Sequence, residues 1–161
     1  MNDSDFPERR APVHLPIIDM GNRTNIVFVT VCSHGRAPIL ANAEMHALIR
    51  EAWATRHEWK VGRYIILPDH VHYFSSPIGL EHPPLVRWMS GWKAYVSRRY
   101  SLPKGQLLWQ RSFWDRQLRS GDSYSAKWEY VRNNPVRHGL VATPDSWSYQ
   151  GEMIQLRWHD A

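Results

Sequence analysis

Lys60-Val61-Gly62-Arg63-Tyr64-Ile65-Ile66-Leu67-Pro68-Asp69-His70-Val71-His72-Tyr73-Phe74-Ser75 is the stretch on which the fold turns. An apolar, β-rich run reaches Leu67, breaks at Pro68-Asp69 and resumes at once. Two such runs across a tight turn spell a β-hairpin, with strands expected at 60–67 and 70–75. His70 and His72 open its second strand. Residues two apart in a strand point to one face, with Cα atoms about 6–7 Å apart. Two imidazoles there can converge on one metal ion. The pair alone is a weak signal in a chain with nine histidines. Its setting strengthens it, because the run before it reads as a central strand.

Outward from the hairpin, the other elements follow from period and punctuation. Asn25 to Cys32 is β-branched and aromatic, a strand that Ser33-His34-Gly35-Arg36-Ala37-Pro38 breaks. Asn42 can cap a helix to about Arg56, with Met45, Leu48, Ile49 and Trp53 at helical spacing. Downstream, Pro83-Pro84 opens a second helix whose stripe is Leu85, Trp88, Met89, Trp92, Tyr95 and Val96. Arg98-Arg99 suits its C-terminal dipole. A fourth strand lies within 107–118, interrupted near Arg111-Ser112. Asp122 or Ser123 caps a last helix to about Asn133, and Pro135 is expected to stop it, since the residue before proline avoids the α region.

The order β-α-β-β-α-β-α predicts an α+β fold, a ferredoxin-like sandwich. It has an antiparallel sheet of about four to five strands with helices on one face. A parallel doubly wound sheet needs more βα units than this chain supplies. Residues 1–22 read as a flexible N-terminal lead-in and 23–161 as a single domain, with an irregular tail from about 142. Core packing is the expected role of Trp147 and Trp158 in that tail.

Composition narrows the function classes. The 161 residues carry a net charge of +5 with 43% hydrophobic content, and the pI is about 9.6. That suits a polyanionic partner, and equally an ordinary basic protein. Nine tryptophans can stack on unpaired bases, although most tryptophans are core. Cys32 is the single cysteine, so there is no internal disulfide or cysteine-based zinc site. Met1 to Arg10 lacks an apolar signal region, and no run approaches the roughly 18 apolar residues of a membrane span. The expectation is a cytoplasmic protein with no membrane partner.

The last helix supplies the second half of a constellation. At 100° per residue, Asn134 falls about 40° from Tyr130, beside the stripe of Tyr124, Trp128 and Val131. Tyr130 as a semi-buried helix residue and Asn134 as a C-cap remain the simpler reading of the helix alone. Set against the histidines, however, a metal on two imidazoles and an amide beside a tyrosine hydroxyl suits attack on a phosphodiester. A tyrosine, with a pKa of about 10, needs such help. With oxygen co-ligands and a phosphate, the metal is expected to be Mg²⁺ or Mn²⁺.

Three segments carry a resemblance to a known family. They are Leu67-Pro68-Asp69-His70-Val71-His72, Trp109-Gln110-Arg111-Ser112-Phe113-Trp114-Asp115, and the run Tyr130-Val131-Arg132-Asn133-Asn134-Pro135-Val136-Arg137-His138-Gly139-Leu140-Val141. They resemble the single-tyrosine transposases of the His-hydrophobic-His (HUH) endonuclease superfamily, above all the REP-associated tyrosine transposase branch. Order and spacing match over about Thr30 to Val141.

The resemblance implies His70, His72 and Asn134 as metal ligands. Tyr130, on the C-terminal helix, would be the nucleophile that forms a 5′-phosphotyrosine with single-stranded DNA and frees a 3′-hydroxyl. The partner would be single-stranded DNA with hairpins (palindromic repeats), and the activity DNA strand cleavage and joining in transposition and recombination. The protein could act as monomer or homodimer. Two departures stand out. Tyr73-Phe74 replaces a more aliphatic run after His72, and Met89-Ser90-Gly91 occupies the place of a helix lysine, for which Lys93 is the nearest substitute. Asp115 matches a family position, where a salt bridge is expected.

Candidate DNA contacts are Arg36, Lys93, Arg98, Arg99, Arg111, Arg116, Arg132 and Arg137, each individually an ordinary surface charge but together a source of salt-dependent binding. Two other functions compete: a hairpin DNA-binding protein without activity, and a metal-dependent phosphodiesterase that uses water.

Overall fold

A computed structural model describes His14 and residues 25–158. The expected lead-in over 1–22 lies outside the described residues apart from His14. The elements are β1 (Val27–Ser33), α1 (Ala43–Thr55), β2 (Trp59–Ile66), β3 (His70–Pro77), α2 (Leu85–Arg99), β4 (Trp109–Gln117), α3 (Tyr124–Arg132), α4 (Asn134–Arg137) and β5 (Gln150–Glu152). The strands form one sheet in the order β4-β1-β3-β2-β5, with every pairing antiparallel. The expected α+β sandwich of ferredoxin-like order is what forms, with β5 as a fifth strand on the β2 edge.

Local chemistry starts the helices where the caps stand. Asn42 Oδ1 accepts from Met45 N at 2.9 Å, and Ser123 Oγ from Ala126 N at 3.1 Å, each satisfying an orphan N–H of the first turn. β1 and β4 change register between Val31 and Ser33, opposite Trp109–Phe113. The expected interruption near Arg111-Ser112 is therefore a bulge in a continuous strand, with both side chains exposed.

α1 and α2 pack on one face over Val29, Val31, Val71 and Tyr73, with Trp53, Trp88 and Trp92 filling the gap. The other face is covered too. Tyr124 and Val131 of α3 and Leu156 of the tail close over Ile26, Ile65 and Phe74, with Trp128, Trp147 and Trp158 packed alongside. The helices thus occupy both faces, and the one-face expectation holds only for α1 and α2. The cause is in the strands: β3 is buried at seven consecutive residues, so neither face of the hairpin can be left wet. The tail is less irregular than expected. It adds β5, and Trp147 Nε1 donates to Ile66 O at 3.0 Å while Trp158 Nε1 donates to Asp122 O at 2.8 Å.

Candidate active site

The register of the hairpin decides which way the histidines point. Thr30 of β1 lies opposite His72, and Cys32 opposite His70. Both imidazoles therefore face away from α1 and α2, into the layer of α3 and α4. They are buried, with ring centroids 4.6 Å apart and planes at 76°. Asn134 reaches the same place from 62 residues downstream and sets its Nδ2 3.3 Å from His72 Nε2. Its Oδ1 is buried and has no hydrogen-bond partner among the described residues.

Each histidine is held by its other nitrogen. His72 Nδ1 lies 2.8 Å from Thr30 Oγ1, and His70 Nδ1 lies 2.8 Å from Asp69 Oδ1. Asp69 Oδ2 in turn accepts from Arg36, at 3.1 Å from Nε and 2.9 Å from Nη2. Arg36 adopts φ +55°, following Gly35 at +62°. It is the one non-glycine residue with positive φ among the described residues, a conformation that costs energy and persists where surroundings enforce it. The segment 33–38, expected as a mere strand break, carries a cation back to the site.

The electrostatics keep His72 neutral. Burial pushes His72 well below the ordinary histidine range, helped by the positive charges of His70, Arg137, Arg36 and His138. Burial alone would raise the Asp69 carboxyl. The hydrogen bond and charge of His70, with those of Arg36, outweigh it and hold the group below its usual value. The donor set is thus two imidazoles, that of His72 held neutral, and an amide oxygen. With Nδ1 committed on both rings, coordination would use the two Nε2 atoms, and the Asn134 amide need only turn end for end to present Oδ1. No group of three or more His, Cys, Asp or Glu able to hold a metal exists among the described residues; here the third donor is an amide. The residues fit a divalent cation.

Tyr130 stands on α3, half-exposed. The Arg137 guanidinium lies over its ring at 4.1 Å, and Arg137 Nη1 donates to Tyr130 O at 2.6 Å. Tyr130 and Asn134 do not share one unbroken helix. α3 ends at Arg132, Asn133 caps it, and Asn134 begins α4 with Pro135 in its first turn. The helix stops just before Pro135, as expected, and the proline has a second role. It begins another helix, where its missing N–H is harmless. The break lets Asn134 turn inward while Tyr130 remains accessible.

The expected DNA contacts divide. Arg36 and Arg137 lie close enough to act on His72. Arg116 is exposed on β4, on the face of Phe28, and Arg111 is exposed in the β4 bulge. Arg132 is engaged by Glu129 at 3.2 Å and by Asp145. Arg98 and Arg99 end α2, in the layer across the sheet from the histidines. Lys93 sits in that layer also, donating to Gln110 O at 2.9 Å, with burial lowering its pKa. Asp115 pairs with His14, whose ring stacks on Phe113 at 4.2 Å. Thr30 and Asp69 were not singled out from sequence. Asp69 carried a visible signal, an acid next to a candidate ligand in a tight turn; Thr30 carried none.

No protein-family model matches the chain. A REP-associated tyrosine transposase of Escherichia coli (strain K12) is 25% identical over 93 residues, 56% of this chain and 53% of the relative. A provisionally named REP-associated tyrosine transposase of Haemophilus influenzae is 36% identical over 99 residues, 52% of this chain and 53% of the relative. The chain spans about half the length of the curated relatives it matches. Among solved structures, a REP-associated tyrosine transposase bound to a REP hairpin is similar with a TM-score of 0.66 at 20% identity, over 87% of this chain and 81% of that one. A provisionally described transposase of Deinococcus radiodurans gives a TM-score of 0.50 at 15% identity, over 74% and 97%. These two likenesses establish the fold. In sequence and in fold, the chain resembles the REP-associated tyrosine transposases, the family its three motifs pointed to.

Proposed function

We propose that this chain is a divalent-metal-dependent enzyme that cuts and rejoins single-stranded DNA beside a hairpin, through Tyr130. One observation carries the reading. His70, His72 and Asn134 come from two distant segments and meet in a buried cluster, while Arg137, whose charge acts on His72, lies over the ring of the half-exposed Tyr130. An apolar layer gains nothing from burying two imidazoles and an amide oxygen without a partner for that oxygen. The partner is proposed from the solved relative, which is bound to a REP hairpin.

In the forward step the Tyr130 hydroxyl oxygen bonds to phosphorus as the bond from phosphorus to the 3′-oxygen breaks. The phenol proton is given up to solvent, and the 3′-oxygen takes one up to leave as a hydroxyl. The product is a 5′-phosphotyrosine, and attack by another 3′-hydroxyl reverses the step and rejoins DNA. Bound at the two imidazoles and the amide, Mg²⁺ or Mn²⁺ would draw charge from the phosphate oxygens. Arg137, on the Tyr130 ring, keeps the side chain in place and brings positive charge toward the phosphate. Each chain carries a full set of these residues, which suits a monomer or a homodimer alike.

The test uses 3′-labelled single-stranded hairpin oligonucleotides from the protein's own genomic flanks, with Mg²⁺ or Mn²⁺, on a denaturing gel. The wild type should give a labelled band of protein size. Tyr130→Phe should lose it and still bind the hairpin. His70→Ala and His72→Ala should lose it with binding within a few fold. Cleavage that survives in Tyr130→Phe would instead mean attack by water. Tight binding with no cleavage under either metal would mean a hairpin-binding protein.

A further inference from the structure

Phe28 occupies an unusual place for a central-strand phenylalanine. Its register partners are Phe74 on β3 and Arg116 on β4, while Thr30, two residues on, lies between His72 and Trp114. All these side chains belong to the face that carries the histidines. α3 closes that face over Phe74, where Tyr124 and Trp128 approach to 4.9 and 6.4 Å between centroids. Toward β4 the cover thins: Phe28 and Trp114 are half-buried, and Arg116 is exposed. The Phe28 ring stacks on His72 at 5.2 Å and 28°.

What lies over Phe28 is a cation. The Lys127 ammonium is 5.3 Å from its ring centroid. Lys127 precedes Tyr130 by one helical turn on α3, so the two share a flank. Burial lowers the Lys127 pKa, and the charge of Arg116 lowers it further against an opposing pull from Asp122. Arg116 meets Asp122 only at a long 3.9 Å. One cation thus lies over the Phe28 ring, a second flanks it across the strand, and the ring itself stacks on His72.

We propose that Phe28, Lys127 and Arg116 form a nucleotide subsite that seats the single-stranded DNA residue flanking the scissile phosphate. The subsite rests on the strand-transfer reading above. The base lies against Phe28, and the phosphate lies between Lys127 and Arg116. The ammonium leaves the ring for the phosphate as the base replaces it, exchanging a cation–π contact for base stacking and a charge-assisted hydrogen bond. Phosphate relieves the repulsion between the two cations.

The test pairs photocrosslinking with binding on the full chain. Hairpin oligonucleotides carrying 5-iodouracil at successive positions around the cleavage site are irradiated, and the crosslinked peptide is identified by mass spectrometry. Phe28 should be the crosslinked residue from one such position. By fluorescence anisotropy, Phe28→Leu should weaken single-strand binding roughly tenfold. Lys127→Gln should weaken it a few fold and flatten the salt slope by roughly 0.7. Thermal melts confirm that both variants fold, and the crosslink, read on the wild type, stands if Phe28→Leu does not.

A covalent band at Tyr130 with crosslinks elsewhere and binding unchanged in both variants would overturn the subsite and leave the strand-transfer reading intact. A Phe28 crosslink without a covalent band would uphold the subsite and defeat that reading. A wild type that binds no single strand would overturn both.

Discussion

Asp69 uses its two carboxylate oxygens for different tasks. Oδ1 accepts from His70 Nδ1 at 2.8 Å, which selects the tautomer whose Nε2 would serve as ligand in the proposed metal site, and Oδ2 is clamped by Arg36. Asp69→Asn keeps the shape and loses the charge. Mn²⁺ affinity measured by calorimetric titration should fall about 10–100-fold, the usual effect of losing a partner behind a metal-binding histidine. An unchanged affinity would remove Asp69 from that role. The acid was visible in the sequence beside His70. Its grip on Arg36 was not, because it depends on two consecutive left-handed residues at Gly35 and Arg36 that no composition rule anticipates for arginine.

At the scale of elements, the hairpin owes its shape to a crowded spot as much as to its turn. The β2–β3 register shifts between Val61 and Tyr64, and Gly62 lies in that shift. A Cβ there would come within 2.7 Å of Leu156 Cδ1 and of the Tyr124 hydroxyl. Tyr124 also accepts from Arg63 N at 3.2 Å, tying α3 to β2. Gly62→Ala should therefore destabilise by about 1–3 kcal/mol, the range for overpacking a filled core, read from urea unfolding. A loss well under 0.5 kcal/mol, the usual size of surface effects, would mean that the tail does not press on β2. The α3–α4 break illustrates a different limit. Pro135 was legible as punctuation, but whether it ends one helix or opens the next depends on whether burying Asn134 repays a new turn.

For the molecule as a whole, acid should be the weak side. His46 is held below its usual 6.5 by burial and by Arg50, with its Nε2 2.7 Å from the Tyr64 hydroxyl. His72 is held further below. The unfolded chain takes up protons near pH 6.5 that the folded chain refuses, so stability rises with pH across that window. It is fully present above about 6.5 and is lost as pH falls toward the folded values. The melting temperature should drop between pH 7 and pH 5, and His46→Gln should blunt the drop. A melting temperature that is flat or rises on acidification would contradict the burial of these two imidazoles.

Local backbone chemistry made much of this protein readable in advance. Strand and helix periods, the caps at Asn42 and Ser123, and the turn at Pro68-Asp69 act within a few residues, so the order of elements and the shared face of His70 and His72 follow directly from the sequence. The meeting of Asn134 with His72, the return of Arg36 to Asp69, the cover of the second sheet face by α3 and the tail, and the placing of Lys127 over Phe28 were decided only by tertiary structure. Those contacts join segments tens of residues apart. Which of them form depends on which apolar faces must be buried together and where chain closure then carries the polar groups, a balance that no short stretch of sequence contains.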